Sequence, residues 1–206
     1  MVDDSPSKWE RLVAAHDVVA HPAAGGVMPE HHPHVALLTC ADARIGPMAL
    51  FGLDPGEAFV VRVAGNSATA DVVASLTFAV EALAVDLVVV LGHTGCGAVA
   101  AAMAATTDVS YSPILAPIDE VIEWCAAQRE HSAETGPLDA RTVLQANVAR
   151  NVARLRRDRG PLGAAIAAGR VDVRGAVIDL VSGELTEIGD DGHPKGATPR
   201  PSDRST

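Results

Sequence analysis

Two short stretches bring together residue types that suit metal chemistry. "CADAR" sets Cys40, Asp42 and Arg44 at two-residue steps, and "GHTGCGA" sets His93 three residues before Cys96. Thiols and an imidazole are soft-to-borderline donors that suit zinc. Three protein ligands leave a fourth tetrahedral position open, as a catalytic rather than a structural zinc requires. Residues two apart in an extended segment project to one side, so Asp42 and Arg44 are expected to flank the metal bound by Cys40. An Arg beside an Asp keeps the carboxylate ionised and oriented through a two-point contact. That carboxylate is then placed to accept a hydrogen bond at the open position, or to swing in as a fourth ligand. Cys96 is expected in the first turn of a helix, where free N–H groups and the helix dipole favour the thiolate. Taken singly, each piece has a plainer reading: Cys40 as a small buried hydrophobe, Asp42–Arg44 as a loop ion pair. Their combination at two strand ends is what points to a site.

The elements that must position these residues alternate between strand and helix. Val35–Cys40, Ala58–Val63, Asp86–Gly92 and Val171–Leu180 read as strands, and Ser182-Gly183 turns the last of them towards a fifth, Glu184–Ile188. The run "DLVVVLG" is apolar on both faces, as in a parallel sheet covered by helices. Apolar residues recur at helical spacing over Thr69–Ala84 and Leu138–Arg157, the latter with Leu144, Val148, Val152 and Leu155 on one stripe. Shorter helices are expected over Pro47–Phe51, Cys96–Ala105, Ser112–Glu134 and Pro161–Ala168. The pattern predicts an α/β fold: a mostly parallel central sheet of four to five strands flanked by helices, with an N-terminal helical arm. Three parts are expected: an arm and loop over 1–34, a catalytic domain over 35–188, and a disordered tail over 189–206. In the arm, Ser5–Ala20 reads as an amphipathic helix capped by Ser7, with Trp9, Leu12 and Val13 near one face. In an open α/β sheet, ligands bind outside the carboxyl ends of the strands, which is where Cys40 and His93 fall.

Composition narrows the partners. The 206 residues carry a formal charge of −10, which argues against nucleic acid and anionic membrane, since both need a basic face. Apolar residues make up 48% but aromatics only 3%, so the core must be built from Ala, Val, Leu and Ile. No apolar run approaches the ~20 residues of a membrane helix. The acidic N-terminus lacks a signal-peptide pattern. With three cysteines, this suggests a reducing, cytoplasmic setting in which thiols serve as ligands or nucleophiles.

"CADAR", "VVRVAGN" and "LGHTGCGAV" resemble, in order and spacing, the zinc and dyad segments of the β-class carbonic anhydrases. "VDVRGAVIDLVSGEL" resembles that family's last strand and turn. The resemblance runs from about Pro33 to Ile188. It implies one Zn²⁺ per chain on Cys40, His93 and Cys96, Asp42 and Arg44 as a catalytic dyad, and reversible hydration of CO2 to bicarbonate. It also implies a homodimer with an exchanged N-terminal helix, or a homotetramer. Relatives with this zinc site hydrolyse carbonyl sulfide or carbon disulfide, so those reactions stand as an alternative, as does a non-catalytic zinc or bicarbonate binder. Two positions depart from the pattern: Ala43 stands where Ser is common, and Val63 replaces Asn in Arg-Asn-Ala-Gly-Asn. One branch of the family holds a regulatory bicarbonate on a Trp, an Arg and a Tyr. Here those positions are Leu37, Arg62 and Ile178, so only the Arg matches, and Asp42 is expected to stay paired with Arg44.

Other residues draw bland readings. Cys125, beside Trp124, reads as core. The run Glu30–His34 reads as a solvated loop, with a histidine there as a candidate proton relay. "ARLRRDRG" (Ala153–Gly160) reads as a solvated helix end.

Overall fold

The apolar run after Asp86 becomes β3 (Leu87–His93), the strand on which the sheet is centred. The computed structural model describes residues 6–18, 30–105, 111–132 and 136–195. β1 (Val35–Thr39) is buried along its whole length, and β2 (Ala58–Arg62) lies at the edge beside it. β4 (Asp172–Ile178) pairs with β3 on the other side. These four strands run parallel, and β5 (Leu185–Ile188) and β6 (Pro194–Lys195) add antiparallel rungs, giving the order β2-β1-β3-β4-β5-β6. The sixth strand extends the expectation of four to five. It falls within the stretch read as a disordered tail, of which 196–206 lie outside the described residues.

The chain leaves β1 for β2 on one side, then crosses back through α3 (Ala70–Leu83) to β3 on the other. The strand order therefore reverses at β1 and opens a crevice between the carboxyl ends of β1 and β3. Cys40 directly follows β1, and His93 ends β3. Topology alone brings these two distant segments to one edge.

α4 (Gly97–Met103), α5 (Ser112–Ser132), α6 (Ala140–Arg156) and α7 (Pro161–Ala167) form the long return from β3 to β4. α6 buries the expected stripe of Leu144, Val148, Val152 and Leu155. Its start is fixed by Asp139, whose carboxylate accepts from the Thr142 N–H at 2.8 Å, the usual service of an N-cap. The main core packs Leu38, Val88, Val90 and Val173 of the sheet with Leu76 of α3 and Val148 of α6. A second cluster gathers Val99, Ile118, Val121 and Val143 around Cys40 and Cys96. Arg156 is more than the solvated residue the sequence suggested. It donates to the Val173 carbonyl at 2.8 Å and pairs with Asp190, tying the end of α6 to β4 and to the turn before β6.

The unit formed by residues 1–31 contains α1 (Lys8–Val18). Ser7 Oγ accepts from the Glu10 N–H at 3.2 Å, and Glu10 accepts from the Ser7 N–H at 2.7 Å, a reciprocal capping box. Trp9 and Leu12 on this helix are 72% and 65% exposed. Among the described residues, no helix is long and apolar enough to cross a membrane.

Gly175 on β4 shows how closely α6 lies on the sheet. A methyl group there would come within 2.8 Å of Val148 Cγ1 and 3.2 Å of Val152 Cγ2. Overpacking of this kind costs about 1–3 kcal/mol. Gly175→Ala is expected to lower the free energy of unfolding, read by chemical denaturation, by that amount, and Val148→Ala in the same chain to recover part of the loss. Full wild-type stability in the single variant would show that the helix stands off more freely than the distances say.

Candidate metal centre

β1 delivers Cys40, β3 delivers His93, and the turn Thr94-Gly95 carries the chain to Cys96, the N-cap of α4. Gly95 has φ +69°, a left-handed backbone that glycine adopts without steric cost. All three side chains are buried. Their ligand atoms lie within 4.8 Å of one another, the one such cluster among the described residues.

The two sulfurs are 4.0 Å apart. That is far beyond a disulfide and close to the roughly 3.8 Å expected for two thiolates sharing a tetrahedral zinc. His93 Nδ1 donates to the Thr94 carbonyl at 3.0 Å, which fixes the tautomer and turns the other nitrogen to the sulfurs. That nitrogen, Nε2, is buried and has no hydrogen-bond partner. A buried, unpartnered acceptor costs free energy, and beside two thiols it has the character of a ligand. The donor set and its spacing fit a metal ion.

The two thiols are electrostatically coupled. The contact with Cys96 holds the Cys40 thiol down to about 4, against the burial that raises it. The same contact, followed by burial, pushes Cys96 above the ordinary thiol range, although the N–H groups of Ala98 and Val99 pull it down. The N–H groups at the helix start favour ionised Cys96, and repulsion between two neighbouring buried thiolates opposes loss of both protons from the pair. Burial pulls the His93 imidazole down, but its interactions with Cys40, the Thr94 carbonyl and Asp42 together outweigh burial and raise it. A cation at the centre would displace these protons.

Asp42 and Arg44 meet as the spacing predicted. Arg44 Nε donates to Asp42 Oδ1 at 2.9 Å, and Nη2 donates to Oδ2 at 2.7 Å. Nη2 also donates to the Gly95 carbonyl at 2.9 Å, anchoring the pair to the turn between His93 and Cys96. Asp42 Oδ2 lies 3.9 Å from His93 Nε2, so the carboxylate stands at the margin of the triad. The Arg44 side chain is the main reason the Asp42 carboxyl sits well below its ordinary range.

Sequence reasoning missed the groups that hold these residues in place. Arg62 donates to the carbonyls of Cys40 and Asp42. Gly65, at φ +76°, brings its N–H to the Cys40 sulfur, and a methyl group there would meet Ile118 Cδ1 at 2.6 Å. Asn147 Nδ2 donates to the Gly65 carbonyl at 2.9 Å. The signal lay in "VVRVAGN", where a charged residue and a glycine interrupt an apolar strand end. Cys125 is buried in α5, as expected, and Arg150 lies 5.2 Å over the Trp124 ring. His31, His32 and His34 are exposed and join no metal-ligating cluster among the described residues.

Fold and site together define an α/β protein with a two-thiol, one-imidazole centre at the switch point of its sheet. A family model described as carbonic anhydrase matches residues 35–185. A carbonic anhydrase of Pseudomonas aeruginosa is 33% identical over 165 residues, covering 76% of this chain and 73% of that protein. Carbonic anhydrase 2 of Mycobacterium tuberculosis is 39% identical over 104 residues, covering 48% of this chain and 49% of that one. A solved β-carbonic anhydrase from Coccomyxa, in complex with acetazolamide, aligns with TM-score 0.69 at 27% identity, covering 87% of this chain and 81% of that one. A tetrameric β-carbonic anhydrase from Sordaria macrospora aligns with TM-score 0.69 at 24% identity, covering 90% and 93%, and speaks to the fold. The chain belongs to the β-class carbonic anhydrase family.

The Asp42–Arg44 geometry sets a pH dependence. In the parent the carboxyl is depressed, so it stays ionised as pH falls through the ordinary carboxylate range. Arg44→Ala removes the largest cause, and Asp42 is then expected to take up its proton at higher pH. Carboxyl-detected NMR of the two proteins would read this, and superimposable titrations would show that Arg44 does not govern the ionisation.

Proposed function

We propose that this chain is a zinc-dependent carbonic anhydrase that interconverts CO2 and bicarbonate. The observation that carries this reading is the buried Cys40–His93–Cys96 triad with an Arg-held carboxylate 3.9 Å from the free imidazole nitrogen. Cys40, His93 and Cys96 would hold the metal. Bound there, zinc would act as a Lewis acid that activates water, and because two thiolates offset its charge, activity is expected to climb on the alkaline side of neutral. Hydration joins the water oxygen to the carbon of CO2 and releases one proton. Asp42 Oδ2 accepts one hydrogen bond from Arg44 and retains a lone pair for the reacting water, which it orients. Arg44 keeps that carboxylate ionised, because a protonated Asp42 would offer a donor where an acceptor is needed. A structural metal site has no use for such a pair, which favours an enzyme over a binding module.

No second anion site is proposed. Leu37 and Ile178 are buried at 1% and 3% exposure, and the Arg62 guanidinium already donates to two carbonyls. A bicarbonate placed among them would lose its hydration for few hydrogen bonds in return.

The test is stopped-flow CO2 hydration, run beside carbonyl sulfide and carbon disulfide turnover, on protein of measured metal content. One zinc per chain and CO2 as the preferred substrate are expected, with zinc lost in Cys96→Ser. Arg44→Ala should keep its zinc and lose at least tenfold in kcat. Bicarbonate should inhibit as a simple competing product, without cooperativity. Full zinc in Cys96→Ser, or turnover confined to the sulfur substrates, would sink the assignment.

We further propose that the protein is a homo-oligomer, a dimer or tetramer, in the cytoplasm, where thiol ligands stay reduced. Support for assembly comes from the exposed Trp9 and Leu12 of α1, an apolar face of the kind that oligomers cover. Sedimentation at micromolar concentration should show the assembly, and a monomer there would refute it.

A further inference from the structure

Arg62 ends β2, opposite Thr39 in the parallel register. The β1–β2 ladder continues one step past both strands: the Val63 N–H donates to Thr39 at 3.1 Å, and the Ala41 N–H donates to Val63 at 3.3 Å. Beyond Ala41 the chain leaves the sheet and turns, with the Ile45 N–H donating back to the Asp42 carbonyl at 3.0 Å. Residues 40–42 therefore sit in neither strand nor helix, although they carry both a sulfur of the triad and the dyad carboxylate.

The Arg62 side chain spans this gap. Its Nε donates to the Cys40 carbonyl at 3.1 Å, and its Nη2 donates to the Asp42 carbonyl at 2.7 Å. One planar guanidinium thus grips both ends of the Cys40-Ala41-Asp42 segment and ties them to the edge strand. Arg44 has a different task. It belongs to the same loop as Asp42 and reaches out to the Gly95 carbonyl, so it orients the carboxylate against the turn that follows β3. It does not fix the Cys40–Asp42 backbone to the sheet.

We propose that Arg62 is a positioning residue of the metal centre, which sets the distance between the Cys40 sulfur and the Asp42 carboxylate by clamping the backbone between them. The inference rests on the zinc reading above. Arg62 acts through the two backbone carbonyls. Its fork is the reason for Arg here. A lysine ammonium is a point charge on a flexible stem and cannot present two donors in one rigid plane.

The experiment uses the full chain as the parent, Arg62→Ala, Arg62→Lys and Arg62→Gln. Zinc affinity is read by chelator competition and ligand geometry by the visible spectrum of the cobalt(II)-substituted proteins. Outer-shell partners of metal ligands typically contribute about 10–100-fold in metal affinity or activity. Arg62→Ala is expected to weaken zinc binding within that range, shift the cobalt bands, and lower kcat more than it raises KM. Added guanidinium ion should restore part of the loss, and equal ammonium should not. Arg62→Lys and Arg62→Gln should show the same spectral shift, so they decide the matter if the alanine variant does not fold. Parent-like affinity and spectrum in the lysine variant would overturn the proposal. So would a loss with an unchanged spectrum and no guanidinium rescue, which marks a stability effect alone. A parent that binds no zinc overturns the metal reading and this inference with it. A parent that binds zinc beside unaltered variants overturns only the inference.

Discussion

Two sulfur atoms 4.0 Å apart in the protein interior are the constraint on which the rest of the structure turns. Two thiolates at that separation repel in a medium that screens poorly. The contact depresses Cys40 and raises Cys96. The surroundings are built to tolerate negative charge all the same. The N–H groups of Gly65, Ala98 and Val99 point at the sulfurs, and Arg44 lies nearby. The centre is therefore held in wait for positive charge by backbone dipoles and one guanidinium. Those dipoles are fixed by a turn on one side and a helix start on the other.

Much of this could be read from residue types. The strand–helix alternation and the apolar stripe of α6 follow from periodicity. The meeting of Cys40 with His93 and Cys96 follows from two strand ends on one edge of a parallel sheet. Asp42 and Arg44 were legible because their contact is local. The coupling of the two thiols was not, since it depends on how closely two segments distant in sequence approach. The roles of Arg62, Gly65 and Asn147 were also hidden. Asn147 reaches a turn 82 residues away in sequence, and nothing local in α6 marks it. β6 escaped notice because Pro194–Lys195 has no apolar pattern, and its pairing is set by β5.

Three turns of ordinary appearance thus share the work of the site. Thr94-Gly95 receives Arg44 and orients His93. The turn at Gly65 meets Cys40 and is itself held by Asn147. The segment after β1 is clamped by Arg62. Each is anchored by a side chain from a different element, so no single helix or strand carries the geometry. Loops bearing function are commonly positioned by a rigid scaffold in this way.

The close seating of α6 against Gly92 and Gly175 has a consequence for how such a protein can vary. That helix also carries Asn147 and Asn151, which hold the Gly65 carbonyl and the Ala68 N–H. The depth at which α6 rests on the sheet is therefore also the height of the turn beneath Cys40. A bulkier residue on this side of the sheet would lift the helix and the turn together, and so detune the centre from the far side of two strands. The opposite side, where a smaller cluster packs Ile45, Leu91 and Ile178, reaches the centre by another route: the Ile45 N–H donates to the Asp42 carbonyl and the Thr94 N–H to the Ile178 carbonyl. The α6 side thus acts as a gauge block for the metal centre.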